Sequence, residues 1–177
     1  MLARPIVRIV LGGCLILGGG LMSETTFANS SGEPCAAGSF REFDFWIGTW
    51  DVADRDGKPA GRNHISREEL GCVLLERWTS ADGRTGMSMN YYDPQAGRWT
   101  QHWVGLGLIL TMTGGLRGTE MVLEGPLQYL ADRRLTTLRG VWTPLPDGRV
   151  RQHFVESSDG GRTWTEWFDG YYSRTGP

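Results

Sequence analysis

Asp-Gly followed within two residues by a basic residue recurs four times in this chain. The sites are Asp56-Gly57-Lys58, Asp82-Gly83-Arg84, Asp147-Gly148-Arg149 and Asp159-Gly160-Gly161-Arg162, each between apolar, alternating segments. Asp-Gly tolerates the positive φ angles that tight hairpins need, so the repetition describes a β-meander through its turns.

Strands are expected at residues 46–53, 60–68, 72–79, 86–92, 99–106, 108–113, 120–124, 135–143, 150–156 and 163–172. No helical period persists from Phe40 onward, and the one helical turn expected covers residues 40–45. Residues 125–134 form the longest and least patterned stretch and are expected to be a loop. Short connections make neighbours in sequence neighbours in space. About ten antiparallel strands would leave two exposed edges unless the sheet closes on itself. A two-sheet sandwich is the alternative, but sequential hairpins favour an all-β, antiparallel up-and-down barrel. Residues 157–164, Ser-Ser-Asp-Gly-Gly-Arg-Thr-Trp, fit the Asp-box pattern that sialidases repeat once per propeller blade. Here it occurs once, which argues against a propeller and for a hairpin whose Asp bonds its own turn.

Residues 1–28 have the layout of a secretory signal. Arg4 and Arg8 lie near the start, an apolar stretch covers 9–22, and Thr26-Phe27-Ala28 ends it, so cleavage is expected after Ala28. The stretch is interrupted by Gly12, Gly13, Gly18, Gly19 and Gly20 and falls short of the ~20 residues of a membrane span. No stable span is therefore expected after cleavage. Retention as an anchor, or lipoprotein processing at Cys14 after Leu11-Gly12-Gly13, are the alternatives. Residues 29–39 read as an irregular N-terminal segment and 40–177 as one domain, with a periplasmic or secreted location.

Removing the segment 1–28, which carries Arg4, Arg8 and Glu24, takes the formal net charge from −2 to −3. A weakly acidic chain without a basic run argues against nucleic acid or an anionic membrane as partner, leaving a small molecule or a protein. Cys35 and Cys72 are expected to pair in an oxidising compartment, with two buried free thiols as the alternative. On the chain-entropy account that bond stabilises the fold by roughly 4 kcal/mol.

Period-two alternation separates two faces in each strand. Trp99, Gln101 and Trp103 share one face, as do Leu74, Glu76 and Trp78. Gln152 aligns with Phe154, and Trp164 and Glu166 with Phe168. Aromatic residues beside a few hydrogen-bonding groups suit a ligand-binding lumen. For any single Trp, core packing is the competing reading, since an indole buries a large area and its N–H needs a partner. Glu76, Glu166, Gln101 and Gln152 discriminate better. Each would cost roughly 1–3 kcal/mol if buried without partners, so they imply a network, water or a ligand. Glu76 and Glu166 are also candidates for an acid–base pair across the lumen. His64, His102 and His153 lie on separate strands without a chelating motif, so no metal and no cofactor are expected. No nucleophile elbow occurs, and Ser88 has no local His partner.

The segment Phe43-Asp44-Phe45-Trp46-Ile47-Gly48-Thr49-Trp50 places Gly-x-Trp at the head of the first strand. This resembles the opening of the lipocalins and the wider calycin group. That likeness implies that Trp50 closes one end of the barrel against Arg174 of the last strand, in cation–π contact. A closer resemblance is to a family of secreted bacterial lipocalin-like proteins of unknown function. It rests on Phe43 to Trp46, Gly71-Cys72, Leu75-Glu76-x-Trp78, Asn90 to Pro94, Gly97-Arg98-Trp99, Gln101-x-Trp103, the run from Trp142 to Gln152, and the Asp-box through Gly170. The resemblance implies a calycin-like barrel and export, and no reaction. The glycine- and leucine-rich segment 104–110 has no counterpart in it.

The expectation is thus an exported barrel that binds a small, largely apolar or amphipathic ligand. Trp78, Trp103, Phe154 and Phe168 would wall it, and Glu76, Asn90, Gln101, Gln152 and Glu166 would orient it. The alternatives are an isomerase or hydrolase using Glu76 or Glu166 as base, and a protein-interaction module. The last would require a lumen free of polar groups and an exposed aromatic patch.

Overall fold

The computed structural model describes residues 34–175. The signal expected at 1–28, with Cys14, and residues 29–33 of the irregular segment lie outside the described residues. Two 3-10 turns, Gly38–Arg41 and Asp44–Trp46, precede ten strands, where a single helical turn was expected. The strands are β1 (Gly48–Asp54), β2 (Pro59–Glu68), β3 (Val73–Ser80), β4 (Thr85–Asp93), β5 (Arg98–Gly105), β6 (Leu108–Arg117), β7 (Glu120–Tyr129), β8 (Leu135–Pro144), β9 (Val150–Ser157) and β10 (Thr165–Arg174). Every strand pairs antiparallel with its sequence neighbour, and β10 pairs with β1, closing an up-and-down barrel.

The Asp-Gly turns direct this meander, with a geometry that differs from a two-residue hairpin. In the first three, only the glycine takes positive φ, at 81° in Gly57, 83° in Gly83 and 84° in Gly148. The Gly83 N–H donates to Ser80 O at 2.9 Å and the Ser80 N–H donates to Arg84 O at 2.8 Å; the other two repeat that pair of bonds. Each is a three-residue loop with its glycine at the bulge. The neighbouring basic residue also has a local role. The Arg149 backbone N–H and its Nε donate to the two Asp147 carboxylate oxygens at 3.1 and 2.8 Å, and Arg84 pairs with Asp82 in the same way. In the Asp-box, Asp159 Oδ1 accepts from the backbone N–H of Arg162 and Thr163, each at 2.9 Å. The Thr163 backbone and side-chain donors hold the Asp159 carboxyl at about 2.

One segment departs from expectation. The stretch foreseen as a loop at 125–134 is strand as far as Tyr129. Pro126 has no N–H to give, and pairing of β6 with β7 is interrupted there, resuming in one register at Leu110↔Leu127 and Thr113↔Glu124. At 104–110 the break falls where it was expected: β5 ends at Gly105 and β6 starts at Leu108, joined by Leu106 and Gly107, both at positive φ (56° and 75°).

One end of the barrel is filled. Phe43 and Trp46 enter from the second 3-10 turn and stack at 4.9 Å. Phe43 also meets Trp99 edge-on at 5.7 Å and Trp142 at 5.3 Å. Trp50 belongs to the same fully buried group and donates from its indole to Trp46 O at 2.9 Å. The Arg174 guanidinium lies 4.3 Å from the Trp50 ring and donates to Ile47 O at 3.1 Å. A disulfide joins Cys35 to Cys72, tying the segment before the first 3-10 turn to the start of β3.

Candidate functional site

Opposite the aromatic plug, the strands enclose a half-open cavity of about 120 Å³. An apolar cavity of roughly 150 Å³ holds benzene, so this one is the size of a single ring. Seven of the residues singled out from the sequence meet there: Glu76, Trp78, Gln101, Trp103, Gln152, Phe154 and Phe168. The alternation of β3, β5 and β9 brings the first six to one side of the sheet, Phe168 joins them from β10, and closure turns that side inward. Leu106, Leu108, Leu110, Leu127 and Trp167 complete the apolar lining, and Tyr172 joins its floor. The eight Trp thus divide by place. Trp46, Trp50, Trp99 and Trp142 are fully or almost fully buried in the core, and Trp78, Trp103 and Trp167 line the cavity. Trp164 sits beneath the Arg139 guanidinium at 4.2 Å.

Four wall aromatics lie over glycines. A Cβ on Gly61 would collide with the Trp78 indole, one on Gly86 with Trp103, one on Gly140 with Phe154 and one on Gly170 with Phe168. Without those side chains the rings fold back against the sheet and leave the lumen open.

The floor is a continuous polar belt. Asn63 Nδ2 donates to Glu76 Oε1 at 2.7 Å, and Ser88 Oγ donates to Glu76 Oε2 at 2.5 Å. Asn90 Nδ2 donates to Ser88 Oγ at 2.8 Å and to Leu74 O at 3.1 Å. Because Leu74 O can only accept, the Asn90 amide is fixed with its oxygen toward Gln101, whose Nε2 donates to it at 2.6 Å. On the other side Asn63 Nδ2 also reaches Tyr172 OH at 3.4 Å, and the Tyr172 hydroxyl donates to Gln152 Oε1. These constraints leave Gln101 Oε1 as an acceptor and Gln152 Nε2 as a donor without protein partners among the described residues. Both side chains line the cavity. Asn90 is fully buried behind Gln101 and does not line it.

Glu76 is 3 % exposed, and among the described residues no other charged side chain lines the lumen. Burial pushes its carboxyl from the usual 4.5 to about 7, against the opposing Ser88 and Asn63 hydrogen bonds. Tyr172 is also raised, by burial first and then by the Glu76 charge.

Glu166 is not a lumen residue. Between Glu166 and Phe168 the β9–β10 register slips by one, as in a β-bulge, so Trp167 and Phe168 both line the cavity while Glu166 faces out. Its carboxylate pairs with Arg55 and lies 3.4 Å from His153 Nε2. The acid–base pair of Glu76 with Glu166 across the lumen is therefore removed by geometry. Asp169 lies on the same outer surface. Burial would raise its pKa, but paired bonds from Arg151 at 2.7 and 3.0 Å outweigh that and lower it. His64 and His102 are exposed on β2 and β5, where they meet Thr49 and Thr111. Among the described residues no group of three or more His, Cys, Asp or Glu is placed to hold a metal ion.

Asn63, Ser88, Trp167 and Tyr172 escaped the sequence reading as site residues. For Asn63 a signal existed, since it alternates with buried Ile65 on β2; for Trp167 none did, because the bulge breaks the parity. Compared with known proteins, the sequence matches no protein-family model and no curated protein.

Proposed function

We propose that this chain is an exported barrel that binds a small, largely apolar ligand in its lumen. The observation that carries the reading is the half-open cavity of about 120 Å³, with aromatic and leucine walls around a polar floor. An apolar enclosure with few convergent polar groups is the usual composition of a ligand site. A barrel packed shut for stability alone would have little use for a floor whose Gln101 and Gln152 present unpartnered polar atoms to open space. Export rests on the signal-like segment 1–28, with which the Cys35–Cys72 disulfide is compatible. Membership of the secreted lipocalin-like family is part of the same proposal, supported by the closed barrel and the Trp50–Arg174 contact.

The test is native mass spectrometry of protein purified from the periplasm, followed by extraction of co-purifying molecules and displacement by ring-sized compounds. A displaceable small molecule supports the proposal. Failure of every extract and compound to bind would refute it.

One observation favours a second reading, an enzyme with Glu76 as acid or base. Its carboxyl is held at about 7, where it can exchange a proton at neutral pH. Turnover that collapses in Glu76→Gln while binding survives would select this reading. The protein-interaction reading required a lumen without polar groups, and the belt from Gln101 to Gln152 runs against it.

A further inference from the structure

Resting on the ligand-binding reading, we infer that the lumen is built for a small amine, whose ammonium group sits against Glu76 and whose apolar body lies between the tryptophan walls. The charge of the lining favours a cation. Among the described residues Glu76 is the only acidic side chain lining the lumen, and no Arg, Lys or His lines it. Both of its oxygens face donors supplied by the protein, Asn63 Nδ2 and Ser88 Oγ. Asn63 holds this orientation although its own Oδ1 is left buried without a partner. Donors aimed at both oxygens stabilise the carboxylate, and a buried carboxylate without a counter-charge is costly. The belt is thus set for an anion whose balancing cation is absent from the protein's own lining.

The walls favour a cation as well. Trp78, Trp103 and Trp167, with Phe154 and Phe168, surround the space above Glu76. Indole faces attract ammonium groups, more strongly once water is excluded. Gln101 Oε1 supplies a further acceptor for an ammonium N–H, and Gln152 Nε2 offers a donor to a hydroxyl or carbonyl elsewhere on the ligand. An anionic ligand would meet Glu76 with no compensating cation. A neutral ligand of the same shape would gain the walls and lose the charge pairing. Tyr172 on β10 is the one other titratable group facing Glu76; Asn63 on β2 and Ser88 on β4 are neutral.

The test is calorimetric titration of the disulfide-intact protein with three probes that share one ring: benzylamine, benzyl alcohol and benzoate. At about pH 8, benzylamine should bind at least about tenfold tighter than benzyl alcohol, and benzoate should bind most weakly. In wild type, benzylamine affinity should fall as pH drops below about 7, because the carboxyl must shed a proton to accept the cation, while benzyl alcohol affinity should stay flat. Glu76→Gln should abolish the preference for benzylamine and remove the pH dependence of its affinity. Equal or tighter binding of benzyl alcohol, or a benzylamine affinity independent of pH, would overturn the inference while leaving the ligand-binding reading intact. Failure of all three probes together would count against both. The pH series uses wild-type protein only, so it decides the matter even where the variant does not fold.

Discussion

Replacing Glu76 by Gln keeps the size and the hydrogen-bonding reach of the side chain and removes its titration. The native carboxyl is held at about 7 against 4.5 in the unfolded chain. An acid with a raised native pKa binds more protons folded than unfolded, so its contribution to stability declines as pH rises through the window from 4.5 to about 7. At 1.36 kcal/mol per unit the full loss is about 3 kcal/mol. Wild type and Glu76→Gln, compared by urea unfolding with the disulfide intact, should therefore diverge with pH. Relative to wild type, the variant should gain about 3 kcal/mol between pH 4.5 and about pH 8. Groups common to both proteins cancel in that difference. The depressed carboxylates, Asp159 and Asp169 among them, act at lower pH and do not enter this window. A difference that stays constant across the window would refute the reasoning, because Glu76 would then titrate alike in the folded and unfolded chain.

Gly86→Ala should force the Trp103 ring off the wall and into the lumen, costing about 1–3 kcal/mol in urea unfolding and lowering the affinity of any ring-sized ligand. Replacing Cys35 and Cys72 together by Ser should cost roughly 4 kcal/mol on the chain-entropy account, read as a lower urea midpoint with a steeper slope, since the unfolded chain without its cross-link exposes more surface. Arg174→Ala removes the cation above Trp50 and the bond to Ile47 O, and should cost about 1 kcal/mol in the same assay. Leu106→Gly should relieve the left-handed backbone at the mouth, worth up to about 1 kcal/mol, while weakening ligand binding through the lost wall.

How much of this was legible in the sequence depends on which periodicity survived folding. The Asp-Gly turns announced the meander, and alternation placed Glu76, Trp78, Gln101, Trp103, Gln152 and Phe154 on one surface, because β3, β5 and β9 keep a strict period of two through those residues. Two local features were invisible. The slip at Trp167 changes parity partway along β10, which moved Glu166 outside and brought Trp167 in. The continuation of β7 through Gly125 and Pro126 was hidden because both residues read as strand breakers. They are tolerated because the β6 ladder is interrupted opposite them, and because Gly125 lets Thr111 O approach where a Cβ would collide. The belt was half legible. Polar residues on apolar faces signalled a network, but its direction follows from the Leu74 carbonyl, a backbone atom that no side-chain pattern reveals.

The seam between β1 and β10 orders events in time. Nine of the ten ladders join strands adjacent in sequence, whereas Trp50 meets Arg174 across the whole domain. Bringing together residues roughly 120 positions apart costs about 2 kcal/mol more chain entropy than closing a hairpin of about ten. On chain entropy alone the hairpins are favoured to form before the ring closes, and a barrel not yet closed presents β1 and β10 as open edges to other chains. Arg174 lies at that final junction, where its guanidinium covers Trp50 as the seam shuts. Where closure follows the rate-limiting step, a contact made only at the seam slows unfolding more than it speeds folding, so loss of the Arg174 contact should then show as faster unfolding.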